Sequence, residues 1–154
     1  VQTLSAANEF GGEESFASPP EQVYALLTDL DAMASTIPDL VSSERVDDRT
    51  LKCVIKPGFS FLRGTMRTTI ALGECTPNDR AAMNVEAAGI GVGMVIGSQL
   101  DIQPEGTGSR LIWRAKIEQR KGLLAAVSPS LIRGAADQVI RHTWNAVRLK
   151  LGEV

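Results

Sequence analysis

Apolar and polar residues alternate along the middle of the chain and fall into a helical spacing at its end. The alternation is clearest late. Leu111, Trp113, Ala115 and Ile117 point one way, and Arg114, Lys116, Glu118 and Arg120 the other. Met94, Ile96, Ser98, Leu100 and Ile102 form a second stripe against Gly97, Gln99, Asp101 and Gln103. A period of two with one polar face marks an antiparallel sheet covered on one side. Strands are expected over 41–47, 50–57, 62–76, 80–88, 92–103 and 109–120. They are separated by Asp47-Asp48, Pro57-Gly58, Pro77-Asn78-Asp79 and Pro104-Glu-Gly-Thr-Gly108.

Ahead of this run, Phe10 and Phe16 share a parity across a glycine-softened strand, which puts Glu14 on their face. Ser18, Pro19 and Glu21 then read as an N-cap, a first-turn proline and the third residue of a capping box. Val23, Leu26, Leu27 and Leu30 mark one face of the helix that follows. Asp31 is expected to cap a second short helix through Ile37, ended by Pro38. The last segment, from Gly122 to Leu151, reads as one long helix, with Ser128-Pro129 either breaking its first turn or forming its true start. Ile132, Ala135, Ala136, Val139, Ile140, Ala146 and Val147 form its apolar arc. Arg133, Asp137, Arg141 and Arg148 lie opposite, with Trp144 projecting near them.

This order predicts a single α+β domain over 1–154, with its core at about 8–150. A strongly curved antiparallel sheet of about seven strands would wrap around a long C-terminal helix, with two short helices after strand 1. That is the helix-grip arrangement. Where sheet and helix do not close completely, the gap between them is a cavity.

Composition narrows the chemistry. The chain has 154 residues, 44% of them hydrophobic and 22% charged, which are ordinary globular values. No apolar run approaches a membrane span, and the opening VQTLSAANEF lacks the apolar core of a signal peptide. Two cysteines, Cys53 and Cys75, cannot build a disulfide framework or a zinc site, and they suit a reduced, cytoplasmic protein. The single histidine, His142, excludes a multi-histidine metal centre. No metal or cofactor is expected.

The net charge of −2 hides an asymmetry: residues 1–109 carry 7 basic and 15 acidic side chains, and residues 110–154 carry 9 basic and 3 acidic. Either the two halves neutralise each other in the fold, or the basic surfaces meet an anionic partner. Arg114, Lys116 and Arg120 on one strand, and Arg141 and Arg148 on the helix, are the surfaces for such a partner, with Trp144 either exposed at that contact or folded back against another strand. There is no dense basic block, and no nucleic-acid partner is expected. Gly89-Ile-Gly-Val-Gly93 does not fit a dinucleotide fingerprint, since position 94 is Met and strands flank it on both sides. It reads as a hairpin. Thr68 and Ser98 would place hydroxyls in the cavity, and Gln119 an amide at its edge.

The residues Phe10-Gly11, Phe16-Ala-Ser-Pro-Pro-Glu-Gln-Val-Tyr24, Leu27-Thr-Asp29, Ile37-Pro38, Gly64, Gly89-Ile-Gly-Val-Gly93 with Gly97, and Gly122-Leu-Leu-Ala125 carry a resemblance. Over about residues 8–149 the chain resembles the carbon monoxide dehydrogenase G-subunit family, within the START and polyketide-cyclase (SRPBCC) superfamily. That family usually has Pro-Gly after the second helix; here Asp39 follows Pro38. The resemblance implies a hydrophobic ligand pocket. It also implies an adaptor role that brings a molybdenum hydroxylase to the inner membrane face.

The expected function is therefore binding of an apolar small molecule, lipid-like or quinone-like, between the sheet and the last helix. Its walls would be Phe10, Phe16, Met66, Ile70, Met83, Val85, Met94, Ile96, Ser98, Leu100, Trp113, Ala135, Val139 and Thr143. Burial of apolar ligand area would supply the affinity, and one or two polar groups the orientation. Methionines on the walls suit an adaptable pocket. A cyclase or hydrolase would instead use Glu14 or His142 on a bound apolar substrate, but the inward stripes hold few titratable groups. A partner-recruiting module with a vestigial cavity is the third reading.

Overall fold

The computed structural model describes residues 9–56 and 64–152. In chain order the elements are β1 (Glu9–Phe16), α1 (Pro20–Leu27), α2 (Leu30–Ala34), β2 (Leu40–Asp47), β3 (Thr50–Ile55), β4 (Met66–Thr76), β5 (Arg80–Gly89), β6 (Val92–Glu105) and β7 (Gly108–Gly122). A 3₁₀ turn (Leu123–Ala126) and α3 (Pro129–Lys150) complete the chain. The strands form one curved antiparallel sheet in the order β1-β7-β6-β5-β4-β3-β2. The expected helix-grip architecture is thus observed. The expected end of β3 at 57 and start of β4 at 62 fall outside the described residues.

Local chemistry shifts several boundaries. Ser18 does not cap α1: Pro19 holds that position with no side-chain cap, and its carbonyl accepts from Gln22 and Val23. Ser18 is drawn instead to the sheet, where its carbonyl accepts from the Ser109 hydroxyl at 2.6 Å. α2 starts earlier than the sequence suggested, because Asp29 rather than Asp31 accepts from the Ala32 amide. Asp31 pairs instead with Arg45 at 2.9 Å. α3 begins at Pro129, with the Ser128 hydroxyl accepting from the Leu131 amide. Asp39, where the family resemblance expected glycine, takes a left-handed φ of 62°. Asp is one of the few residues that tolerates this conformation, and its carbonyl accepts from the Lys56 amide.

Directly opposed residues share a face, so the register fixes which side chains look inward. Leu100 faces Trp113, Ser98 faces Ala115, and Ile96 faces Ile117. Val85 faces Ile96 and Ile70 faces Val85. A shift between Val95 and Ile96 breaks the alternation on β7, so that Arg120 falls opposite Met94. The extra residue turns Arg120 to the inner side, where it donates to the Val127 carbonyl. It does not share the outer face with Arg114 and Lys116 as the alternation implied. Gln119, opposite Val95, is exposed on that outer face.

Candidate ligand groove

The buried apolar residues form three clusters rather than one. Phe16, Val23, Leu27, Leu100, Ile102, Leu111, Trp144 and Val147 tie α1 and the end of α3 to β1, β6 and β7. Leu30, Ala34, Leu51, Cys53 and Ile70 tie α2 to β3 and β4. Ile117, Leu124 and Ile132 tie the start of α3 to β7. A domain of this size normally has one contiguous core. Here the apolar residues of the inner face between the clusters are only half-buried.

The expected wall residues follow that division. Phe16, Met66, Ile70 and Leu100 are buried. Phe10, Met83, Val85, Met94, Ile96, Ser98, Trp113, Ala135, Val139 and Thr143 are half-buried. On α3 the same stripe is buried at both ends, at Ile132, Trp144 and Val147, and half-buried in the middle, at Ala135, Val139, Ile140 and Thr143. Small side chains at 135 and 136 leave the helix without the bulk to reach the sheet there. Met83 and Val85 lean on the α2 cluster, and Met94 and Ile96 on the cluster at the start of α3. What lies between them is a half-buried apolar surface facing the middle of α3.

Few polar groups enter it. The Ser98 hydroxyl donates to the Met83 carbonyl at 2.9 Å, and Thr68 is buried on the same face. The Cys53 thiol is buried, and burial pushes its pKa up, so it behaves as a small apolar group. Both cysteines are free. Among the described residues no cluster of metal-ligating side chains occurs.

At the α1 end of α3 a cavity of about 170 Å³ is lined by Glu14, Trp113, Ile140, Trp144 and Arg148, among others. Arg148 donates to Glu14 at 2.6 Å and stacks over the Phe16 ring at 5.1 Å. The carboxylate on the phenylalanine face thus has its partner. The helical projection placed Arg148 on a polar surface and Trp144 among exposed arginines. In the fold Trp144 is 7% exposed, packed edge-on against Phe16 and tilted against Trp113. Arg148 stands one turn beyond Trp144 on that same face, a spacing of four that signals the contact. His142 is exposed.

Two larger depressions are present, of about 1030 Å³ beside the β5–β6 turn and about 930 Å³ between β1, β6, β7 and the start of α3. Their linings run in consecutive triplets, such as Lys52–Val54 and Arg67–Thr69 in one, and Gly97–Gln99 and Arg114–Lys116 in the other. They touch backbone and charged outward side chains, but the first also reaches inward Cys53 and Thr68, and the second reaches Arg133 and Asp137 on α3. Met94 borders the first, and Phe10 and Ser98 the second. In Gly89–Gly93 only Ile90 and Gly91 form the tight hairpin turn, and Gly89 and Val92 pair across it as the ends of β5 and β6.

The ion pairs also bear on the charge asymmetry. Arg110 pairs with Glu13 and Arg148 with Glu14, and Arg133 donates to the Glu9 carbonyl. Part of the basic C-terminal excess is therefore neutralised by β1. Arg148→Glu is expected to lower stability by about 1–3 kcal/mol, since it leaves two carboxylates facing each other in a semi-buried site. Thermal unfolding checks this, and the exchange Glu14→Arg with Arg148→Glu should recover part of the loss.

With this geometry in place, comparison with known proteins identifies its class. The fold is shared with solved structures. A conserved protein from Geobacillus kaustophilus superposes with a TM-score of 0.86 at 17% identity, covering 94% of this chain and 95% of that one. A START superfamily protein from Mycobacterium smegmatis gives 0.67 at 13% identity, over 93% and 96%. The protein XoxI from Bacillus cereus gives 0.68 at 13%, over 93% and 94%. The fold is therefore START-like. Residues 12–152 match the carbon monoxide dehydrogenase G-subunit (CoxG) family, and the chain belongs to it. No curated protein matches it in sequence.

Proposed function

We propose that the protein binds an apolar small molecule, lipid-like or quinone-like, in the groove between the sheet and α3. The observation that carries this reading is the half-buried apolar surface under the middle of α3, bounded by three separate buried clusters. Such a surface is costly when wet and is stabilised by a ligand that covers it. The methionines Met83 and Met94 make the walls adaptable.

Membership of the carbon monoxide dehydrogenase G-subunit family supports extending the proposal to an adaptor that recruits a molybdenum hydroxylase to the inner, cytoplasmic face of the membrane. Among the described residues no helix is long and apolar enough to cross a bilayer, so the attachment proposed is peripheral.

Native mass spectrometry after mild extraction tests the ligand. A retained apolar molecule of constant mass supports the reading, and a converted product supports the cyclase or hydrolase alternative. An empty protein that takes up no environment-sensitive apolar dye sinks it and leaves a recruiting module with a vestigial groove. Ala135→Phe is expected to place a ring in the groove and to reduce dye uptake at least tenfold. Overpacking costs roughly 1–3 kcal/mol, so the variant still folds. Undiminished uptake by a well-folded Ala135→Phe protein would place the ligand elsewhere.

A further inference from the structure

Antiparallel connectivity puts the β2–β3, β4–β5 and β6–β7 turns at one end of the sheet. The start of β2, the end of β3, the start of β4, the β5–β6 turn and the exit of β7 lie at the other. The two ends differ in charge. The first carries Asp47, Asp48, Asp79 and Glu105 against Arg49 and Arg80. The second, made of residues 39–40, 55–56, 64–67, 88–93 and 120–128, carries Lys56, Arg67, Arg120 and Lys121 against Asp39. Arg120 is engaged by the Val127 carbonyl. Lys56, Arg67 and Lys121 are exposed and make no ion pair among the described residues.

The same end has an apolar tip. Ile90, in the two-residue turn between β5 and β6, is 80% exposed, more than any other large apolar side chain among the described residues. Ala88, Ala125 and Ala126 are exposed around it, and Leu131, 57% exposed, follows in the first turn of α3. A hairpin turn has no conformational need for isoleucine; glycine, asparagine and aspartate are the residues that favour it.

We propose that this end docks on an anionic lipid surface, with Ile90 entering the headgroup region and Lys56, Arg67 and Lys121 meeting lipid phosphates. Ile90 and Leu131 stand over small residues and beside the cations, and apolar side chains flanked by basic ones are what an anionic fluid interface takes up. The chain as a whole carries −2, so an anionic surface does not attract it uniformly. The acid-rich turns at the far end orient it, basic end inward. The inference deepens the adaptor part of the proposed function. Its test does not involve the groove, so the two fail separately.

Co-sedimentation of the full chain is measured with vesicles of phosphatidylcholine containing one third phosphatidylglycerol, and with phosphatidylcholine alone. Binding is expected to the first at low salt and not to the second. It should fade as salt rises, because the Debye length falls from about 10 Å at 0.1 M to about 3 Å at 1 M. Lys121→Gln and Arg67→Gln should each weaken partitioning about fivefold. Ile90→Asp should abolish it, and Arg141→Gln, on the middle of α3, should leave it unchanged. Should Ile90→Asp fail to fold, the two glutamine variants and an Ile90→Trp reporter decide. Its emission should shift to the blue on the anionic vesicles. Absence of binding to anionic vesicles at low salt overturns the proposal. So does equal binding to neutral ones, or an Ile90→Trp reporter that does not shift while sedimentation persists. Binding to soluble polyglutamate without binding to vesicles overturns it in favour of an acidic protein partner.

Discussion

Gly122→Ala is expected to destabilise the protein by about 3 kcal/mol or more, read as a fall in the urea midpoint at unchanged slope. Gly122 ends β7 and turns the chain into the 3₁₀ turn with φ at 64°, in the left-handed region. That conformation alone costs an L-residue about 1–2 kcal/mol. The second term is steric. A β-carbon at 122 would run into the Gly91 carbonyl oxygen and crowd the Val92 α-carbon. Both obstacles are backbone of the adjoining hairpin, which cannot rotate aside as a side chain can. Two controls separate the terms. Gly91 has a φ of 69° but open space where its β-carbon would be, so Gly91→Ala should cost only the conformational part. Gly134 lies inside α3, also with open space, and Gly134→Ala should stabilise by about 1 kcal/mol through helix propensity. If all three alanines behave alike, the clash with Gly91 is not what defines the turn.

Gly122 also shows what was readable in the chain before folding. Its place in the motif Gly122-Leu-Leu-Ala125 singled it out, but nothing in the sequence says that the β5–β6 turn passes above it. Strand positions were legible because the sheet is half-covered and each strand alternates; Leu111, Trp113, Ala115 and Ile117 all lie inward as their parity required. The alternation failed where the chain carries an extra residue. Glu118 and Gln119 share the span opposite Val95 and Ile96, and past them Arg120 turns inward. A bulge leaves no mark in a pattern of period two. The caps failed for another reason. Ser18 has the right chemistry for a cap, but the helix starts one residue later than it requires, with Pro19 at the cap, and the Ser18 carbonyl accepts from Ser109, a contact 91 residues distant in the chain that no local rule contains. The inward residues were legible one by one. Their sorting into buried clusters and a half-buried groove was not, since it depends on how closely α3 approaches each strand.

Trp144 is the residue on which the sequence was least informative, and its truncation is expected to have the second large effect. On a helical projection it lies near Arg141 and Arg148, yet it is 7% exposed, between Phe16 at 6.3 Å and Trp113 at 6.4 Å, ring centre to ring centre. It joins α1, through Val23 and Leu27, to the sheet, through Leu100, Ile102 and Leu111. Trp144→Ala should therefore cost about 3–5 kcal/mol, the usual range for a buried aromatic, and should loosen the end of α3 that closes the groove. Trp144→Phe should behave differently. The indole N–H groups of Trp113 and Trp144 are both buried without a hydrogen-bond partner, and an unpaired buried donor costs about 1–3 kcal/mol. Phenylalanine gives up part of the ring's area but also removes that unpaired donor. The two effects oppose, so the net loss should stay below about 1.5 kcal/mol. Trp113→Phe should follow the same rule, since its Nε1 is likewise buried without a partner. Chemical denaturation of the three variants decides the matter. A Trp144→Phe protein as unstable as Trp144→Ala would mean that the indole N–H is satisfied in solution, and that the donor rather than the ring area holds α3 to the sheet.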